Sequence, residues 1–261
     1  MLLGTIVLAA VFAPIVAPYD PTVSSGRPFE APTAAHLLGT NDIGQDILSE
    51  LIWGARVSLA IGALAAVVGT AIGTLVGVLA GYFSGWSDAV LMRLADVVLV
   101  VPFLPLMILL AAYVGPSIAS LAVVIGLLVW ARPARVVRSL VLSQRTRDYV
   151  VAARSLGARH DRILRLCILP SVFSLSLAEL VQLASRAILL EAALAFLGLG
   201  DPVQKSWGSV LFYAQARGAL LSPAWTWWVL PPGLLITGAV LGLALLGYEI
   251  ERMITPRLRA R

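Results

Sequence analysis

The sequence contains little charge and few of the residues that form disulfides or metal sites. Asp, Glu, Lys and Arg make up 13% of its 261 residues, whereas a soluble domain carries about 25%. Lys205 is the only lysine, so nearly all of the net charge of +5 comes from an excess of arginine. The lone Cys167 excludes an internal disulfide, and His36 and His160 are too few and too far apart for a zinc site. We therefore predict no metal site.

The motifs of an ATP-hydrolysing or intramembrane enzyme are also absent. A phosphate-binding loop ends in Gly-Lys-Ser/Thr, but the only Lys-Ser pair, Lys205-Ser206, follows Gln204. No Ser/His, paired-Asp or His-metal constellation falls in the apolar segments. We predict that the chain is not an enzyme and binds no cofactor itself.

Long apolar blocks take the place of the missing charge. Hydrophobic residues make up 59% of the chain, in blocks of about 20 that match a bilayer core of roughly 30 Å. The blocks are apolar all round instead of alternating, which disfavours a β-barrel. We predict an all-α polytopic membrane protein with about six transmembrane helices. The predicted spans are 1–17, 57–81, 91–113, 117–131, 172–197 and 228–248.

The charges between these blocks predict the orientation of the chain. Residues 18–56 form an acidic polar loop, in which we expect a short helix, and 57–261 form a five-span core. Arginine dominates 132–165 and the C-terminal tail, so the positive-inside rule places both termini in the cytoplasm and the 18–56 loop outside. We read 1–17 as a first transmembrane helix and not as a signal peptide, because no Lys or Arg precedes it. The arginines of 132–165 are Arg132, Arg135, Arg138, Arg145, Arg147, Arg154, Arg159, Arg162 and Arg165.

The densest charge falls at 149–170, within a basic segment that we bound at 139–170. The pattern predicts two short amphipathic helices with Gly157 between them and Pro170 at the start of the fifth span. Such helices can lie on anionic lipid, at about 1 kcal/mol per basic residue, or dock in a groove of a soluble partner. The residue pattern alone leaves both readings open.

The same segment resembles the cytoplasmic signature of ABC-importer permeases, an acid-Ala-Ala followed by Gly and, thirteen residues later, Pro. Here the signature reads Val151-Ala152-Ala153, Gly157 and Leu169-Pro170, with Val151 in place of the acid. Other stretches are similar to one subgroup, the second (C-type) permease of dipeptide, oligopeptide and nickel importers. They are "PYDP" at 18, "HLLGTNDIGQDILSELIWGARVSL" at 36, "MRLADVVLVVP" at 92, "EAALAFLGLG" at 191, "SWG" at 206 and "TPRLR" at 255.

This resemblance implies a type I ABC importer permease of the bacterial inner membrane. The chain would form half of a pathway for dipeptides or oligopeptides delivered by an extracytoplasmic substrate-binding protein. Its implied partners are a second (B-type) permease, as heterodimer, and two ABC ATPases that hold ATP and Mg²⁺; no nucleic acid is implied. The alternatives are the same role for nickel or another chelated metal, and a stand-alone secondary transporter. The latter is disfavoured because no paired half-chain repeat is visible.

In this family the basic segment is a coupling helix that seats in a cleft of the ATPase. Because Val151 replaces the acid, we expect the contact to depend on shape and on neighbouring arginines. The implied ATPase-coupling residues are Val151, Ala152, Ala153, Arg154, Gly157, Arg159, His160, Asp161, Leu169 and Pro170.

Polar residues within the fifth span are candidates for the translocation pathway. Glu179 and Arg186 differ by about 20° around a helix, so that they share one face with Gln182. Such a face is expected to line a pathway or to form a polar clamp between helices. Glu191, about 140° from Arg186, is expected near the outer boundary as a gate or interface residue.

Two structural features of the early spans are also predicted. Asp88, Arg93 and Asp96 at the start of the third span are expected to form a structural clamp, in which Arg93 and Asp96, three residues apart, can pair. Pro102 and Pro105 are expected to bend the helix beyond them. Glycines at 69, 73, 77 and 81 share one helix face and predict close packing against another helix.

Overall fold

The structure is a computed structural model that describes residues 2–254. Within that range it is helical and has no β-strand, only an isolated bridge between Thr40 and Asp46. The all-α prediction is therefore confirmed. The α-helices are α1 (Leu2–Val11), α2 (Ala13–Val16), α3 (Ile47–Phe83), α4 (Gly85–Val100), α5 (Phe103–Val114), α6 (Ile118–Val129), α7 (Ala131–Gln144), α8 (Asp148–Ser155), α9 (His160–Ile163), α10 (Leu169–Leu194), α11 (Trp207–Ala216) and α12 (Leu230–Ile254).

Three helical stretches are long and apolar enough to cross a membrane: Ile47–Phe83, His160–Leu199 and Trp225–Met253. Two bent pairs also pass when each pair is taken as one span, α4 with α5 (bent by 90°) and α6 with α7 (bent by 46°). The helix α1 is apolar but shorter. Each predicted span overlaps one of these elements, as expected of a polytopic membrane protein.

The bend between α4 and α5 lies where the sequence predicts it, at Pro102. Val101 before this proline is extended, with φ −64° and ψ 135°, as a residue before proline prefers. Pro102 also lacks the N–H that would continue the helical hydrogen bonds. The predicted bend of the span 91–113 is confirmed at this residue.

The helix α3 begins at Ile47, within the segment 18–56 that the sequence predicts to be a polar loop with a short helix. Asp46 acts as its N-terminal cap: the Asp46 Oδ2 accepts hydrogen bonds from the Ser49 N–H at 2.8 Å and from its hydroxyl at 2.7 Å. The part of the loop from 17 to 46 contains no helix, so the short helix expected there corresponds to the first turns of α3. The polar residues at its start look like loop residues in sequence, but they are buried.

The chain divides into two compact units, of which the first comprises 1–64, 108–122 and 184–243. Its core is built around the buried side chains of Trp207 and Trp228. The indole Nε1–H of Trp207 donates to the Leu51 carbonyl oxygen at 3.0 Å, which joins α11 to α3. Ser206 caps α11, because its hydroxyl accepts from the Ser209 N–H at 3.2 Å.

The second unit comprises 65–107, 123–183 and, among the described residues, 244–254. Its α3 segment carries the glycine face, and a Cβ atom on Gly77 would lie 2.6 Å from the Ala134 carbonyl oxygen. At Gly81 the same atom would lie 2.8 Å from the Val141 Cβ. The predicted close packing is therefore confirmed, with α7 as the partner helix. The C-terminal arginines on which the predicted orientation partly rests, Arg257, Arg259 and Arg261, lie outside the described residues.

We predict that Gly77→Ala destabilises the protein, because the added methyl group meets the backbone of α7. Such overpacking costs about 1–3 kcal/mol. The matched control is Gly233→Ala in α12, where an added Cβ meets no atom within 4 Å and alanine favours the helix by about 1 kcal/mol. The midpoint of thermal unfolding of the purified protein in detergent measures both. Equal midpoints for the two variants would contradict the close packing of α3 and α7.

Candidate functional site

The two short helices predicted around Gly157 are α8 and α9. Gly157 has φ +79°, a left-handed conformation that favours glycine. Its N–H donates to the Arg154 carbonyl at 3.0 Å, and the Ala158 N–H donates to the Ala153 carbonyl at 3.0 Å. These two bonds form a Schellman motif, which ends α8 and turns the chain towards α9. The second helix is shorter than predicted, because a π-helical turn over Leu164–Ile168 follows α9.

One face of this segment is packed against its own unit. Val150, Ile163 and Ile168 are buried in a cluster with apolar side chains from α3 and α7. The cluster members from α3 and α7 are Val78, Tyr82, Val137 and Val141. The segment is therefore anchored by apolar contacts to the end of α3 and to α7, and its position follows theirs.

The segment also exposes apolar side chains. Leu156 is 88% exposed and Val151 50% exposed, although both are of a type usually buried. Arginines are close to them in sequence, and Arg159 makes only a weak ion pair with Asp161, at 3.7 Å between Nε and Oδ1. Exposed apolar side chains among arginines are typical of a surface that binds a partner.

The structure brings the ten predicted coupling residues together in one continuous segment. Most of them are exposed, Ala153 is half-buried, and His160 is tied to the body of the unit by a hydrogen bond. The exposed members are Val151, Ala152, Arg154, Gly157, Arg159, His160, Asp161, Leu169 and Pro170.

Two residues that sequence reasoning missed hold this segment to α3. The Tyr82 hydroxyl and the His160 Nδ1 are hydrogen-bonded at 2.8 Å. Arg145, between α7 and α8, donates to the Gly81 carbonyl at 3.2 Å and to the Ser84 hydroxyl. No local motif marks either contact, because the partners are more than sixty residues apart in sequence.

The predicted pair of Arg93 and Asp96 is present but long, at 4.0 Å. Both acids of the predicted clamp, Asp88 and Asp96, also have partners on α7, and Asp96 is hydrogen-bonded to Arg135. Asp88 binds Arg138 of α7 through both carboxylate oxygens, at 2.5 and 2.6 Å. The clamp is therefore chiefly between α4 and α7, since bidentate arginine pairs are stronger than a long contact within one helix.

The predicted polar face of α10 is only partly exposed. The Gln182 side chain donates to the Glu251 carboxylate of α12 at 3.1 Å, which is the interhelical clamp that the sequence offered as an alternative to a pathway. Glu179 is half-buried, and Arg186 is exposed. The structure thus places Glu179 and Gln182 together in the second unit and Arg186 in the first.

Glu191 is fully buried, with 0% of its surface exposed. The Ser58 hydroxyl donates to its Oε2 at 3.0 Å, and the Trp207 N–H donates to that Ser58 oxygen at 3.2 Å. Glu191 therefore joins α10, α3 and α11 within the first unit. These contacts support the interface role that the sequence offered beside a gate. Helix geometry alone could not reveal the partners on distant helices.

A polar network surrounds the start of α3. Lys205 is hydrogen-bonded to Gln45 and to the buried Glu50, which also accepts from the Asn41 amide at 2.8 Å. His36 is bonded to Asp46 at 3.0 Å. Across residues 2–254, no group of three His, Cys, Asp or Glu side chains is arranged to hold a metal ion. The network instead ties the 200–206 connection to the first turns of α3.

Comparison with known proteins gives consistent matches. Residues 73–260 match the family described as binding-protein-dependent transport system inner membrane component. The chain is 38% identical to the di/tripeptide transport system permease protein of Pseudomonas aeruginosa, over 97% of this chain and 85% of that protein. It is 39% identical to the dipeptide transport system permease protein of Escherichia coli, over 97% of this chain and 86% of that protein. The dipeptide transport system permease protein of Haemophilus influenzae is 34% identical, over 97% of this chain and 88% of that protein.

We predict that Glu191→Ala lowers the thermal stability of the protein. The substitution leaves the buried Ser58 hydroxyl without its acceptor, which costs about 1–3 kcal/mol. Glu191→Gln is the matched control, because its amide oxygen can still accept from Ser58. Tryptophan fluorescence during heating measures the midpoint of thermal unfolding of each variant. An alanine variant as stable as wild type would rule out the packing role and restore the gate as the leading reading.

Proposed function

The chain belongs to the family of binding-protein-dependent transport system inner membrane components, and from this premise we propose that it forms half of the pathway of an ATP-driven importer for small peptides. It is a multi-pass protein of the inner membrane. The observation that carries the proposal is the pair of exposed apolar side chains, Val151 in α8 and Leu156 directly after it, in a segment whose Val150 is buried against the body of the unit.

The proposed cargo follows from the relatives. Their names assign di- and tripeptides or dipeptides to proteins that match this chain over nearly its whole length. We infer dipeptides or oligopeptides for this chain too, delivered by a substrate-binding protein outside the membrane. Nickel or another chelated metal is the alternative cargo, for which the described side chains offer no three-residue ligand group.

The proposed motor consists of two partner ATPases that bind ATP and Mg²⁺. The chain has no phosphate-binding loop of its own, so the energy of ATP hydrolysis must enter through a docking surface. We propose that the α8–α9 segment docks in a cleft of the ATPase in the helix-in-groove manner. The arginine excess around this segment supports a cytoplasmic position for it and for both termini.

The pathway is proposed to form with a second (B-type) permease. Glu179, Gln182 and Arg186 of α10 are our candidates for its lining, since ionisable side chains in a span are stable only towards protein or water. The contact between Gln182 and Glu251 supports a place inside a helix bundle for this face.

The test is to tag the chain, extract it gently from its native membrane and identify the proteins that accompany it. The recovered complex, in proteoliposomes with ATP inside and the binding protein outside, should take up a dipeptide. The matched control is the same complex with the non-hydrolysable analogue of ATP. Uptake of a nickel chelate and not of peptide would show that the cargo is a chelated metal. Uptake by the isolated chain without ATP would show that the chain is a secondary transporter.

We predict that Leu156→Asp reduces the amount of ATPase that co-purifies with the chain. A buried charge in the interface should weaken binding by about tenfold or more, since 1.4 kcal/mol is a factor of ten. The control is Leu221→Asp, which places the same charge on a side chain that is 96% exposed in the connection after α11. Loss of ATPase in both variants would point to a general defect instead of an interface.

We also predict that Gly157→Trp leaves the protein in the membrane but abolishes ATP-driven uptake. An added Cβ meets no atom within 4 Å, so the bulk is directed away from the unit, onto the proposed docking face. Gly157→Asn is the control, because asparagine tolerates the left-handed conformation better than other residues. Normal uptake by the tryptophan variant would remove the coupling role of this turn.

A further inference from the structure

The C-terminal end of α3, residues 81–84, receives two polar contacts from the segment proposed to bind the ATPase. One comes from His160 at the start of α9, and the other from Arg145 just before α8. The two contacts therefore flank α8, whose exposed face is the proposed docking surface. Both lie within the second unit.

The first contact pairs an exposed residue with a buried one. The Tyr82 side chain is packed in the apolar cluster, with its hydroxyl 2.8 Å from the His160 Nδ1. The two rings also meet edge to face, with centroids 5.6 Å apart and planes at 86°. A hydrogen bond and a ring contact together fix the orientation of α9 relative to α3, because both depend on angle as well as on distance.

The second contact caps the end of α3. The last carbonyls of a helix have no partner within it, and Arg145 donates to one of them, that of Gly81, at 3.2 Å. Its guanidinium also bonds the Ser84 hydroxyl. Ser84 has φ +55°, a conformation uncommon for residues other than glycine. Arg145 thus holds the turn that ends α3.

The apolar cluster beneath these contacts holds the segment in a different way. Burial of Val150, Ile163 and Ile168 attaches the segment to α3 and α7, but the attraction between apolar side chains is non-directional. The two polar contacts add dependence on angle, so that a rotation of α9 is passed to α3 more completely than by the apolar contacts alone.

We propose that Tyr82 and Arg145 are positioning residues that couple movement of the α8–α9 segment to α3. The proposal rests on the proposed function, since it assumes that an ATPase moves this segment. Tyr82 acts through His160, and Arg145 acts through the backbone of Gly81 and the side chain of Ser84. Neither residue touches cargo or nucleotide.

The test measures the number of peptides transported per ATP hydrolysed by the complete complex in proteoliposomes. Tyr82→Phe removes only the hydroxyl and keeps the packed ring. Loss of one net hydrogen bond should lower this ratio by about twofold to tenfold. Tyr248→Phe, which removes an exposed phenol hydroxyl from α12 in the same unit, should leave the ratio at the wild-type value.

Double variants separate the two contacts. His160→Ala breaks the same bond as Tyr82→Phe, so the double variant should be no worse than the poorer single variant. Arg145→Ala breaks a different contact, and its effect should add to that of Tyr82→Phe. This pattern of non-additivity and additivity is not expected if the substitutions merely loosen the fold.

Two outcomes would overturn the proposal. The first is a wild-type ratio in Tyr82→Phe, whether or not its thermal midpoint falls. The second is an additive effect of Tyr82→Phe and His160→Ala, which would assign His160 to ATPase docking alone. The proposed function is judged separately, by whether the wild-type complex transports peptide with ATP at all, whatever these variants do.

Discussion

The close approach of α3 and α7 is the constraint on which the second unit depends. A side chain at Gly77 would collide with the α7 backbone, so glycine is what allows the two helices to meet. Because they meet there, Val78 and Tyr82 of α3 and Val137 of α7 form one apolar surface. The α8–α9 segment packs on that surface. Its exposed face is therefore presented by two helices and not by a loose loop.

Charge completes this arrangement. The helix α7, which packs on the glycines of α3, also carries Arg135 and Arg138. These two arginines donate hydrogen bonds to the carboxylates of α4, which fixes α4 beside α7. Arg145, beyond its end, caps α3. Arginines that look uniform in sequence thus have different partners. Some neutralise acids of the neighbouring helix, one caps a helix, and those of α8 and α9 are exposed.

Local rules predicted the features that depend on neighbours in sequence. The bend at Pro102, the break between two helices at Gly157 and the packing of the α3 glycines follow from the residue types themselves. Contacts between distant segments were not predictable in this way. The start of α3 was missed because its buried polar residues satisfy one another across the fold, and the partner of Glu191 was missed because Ser58 is 133 residues away.

The dual packing of the α8–α9 segment explains why its sequence left lipid and protein docking open. An amphipathic helix that lies on a membrane needs one apolar face and one basic face. Here Val150 and Ile163 are apolar because they face the unit, while Leu156 and Val151 are apolar and face outward. Apolar residues that are buried and apolar residues that are exposed thus alternate with arginines, which weakens the amphipathic pattern. Part of the apolar content is needed to pack the segment on its own unit, so it cannot be counted as evidence for a lipid-facing surface.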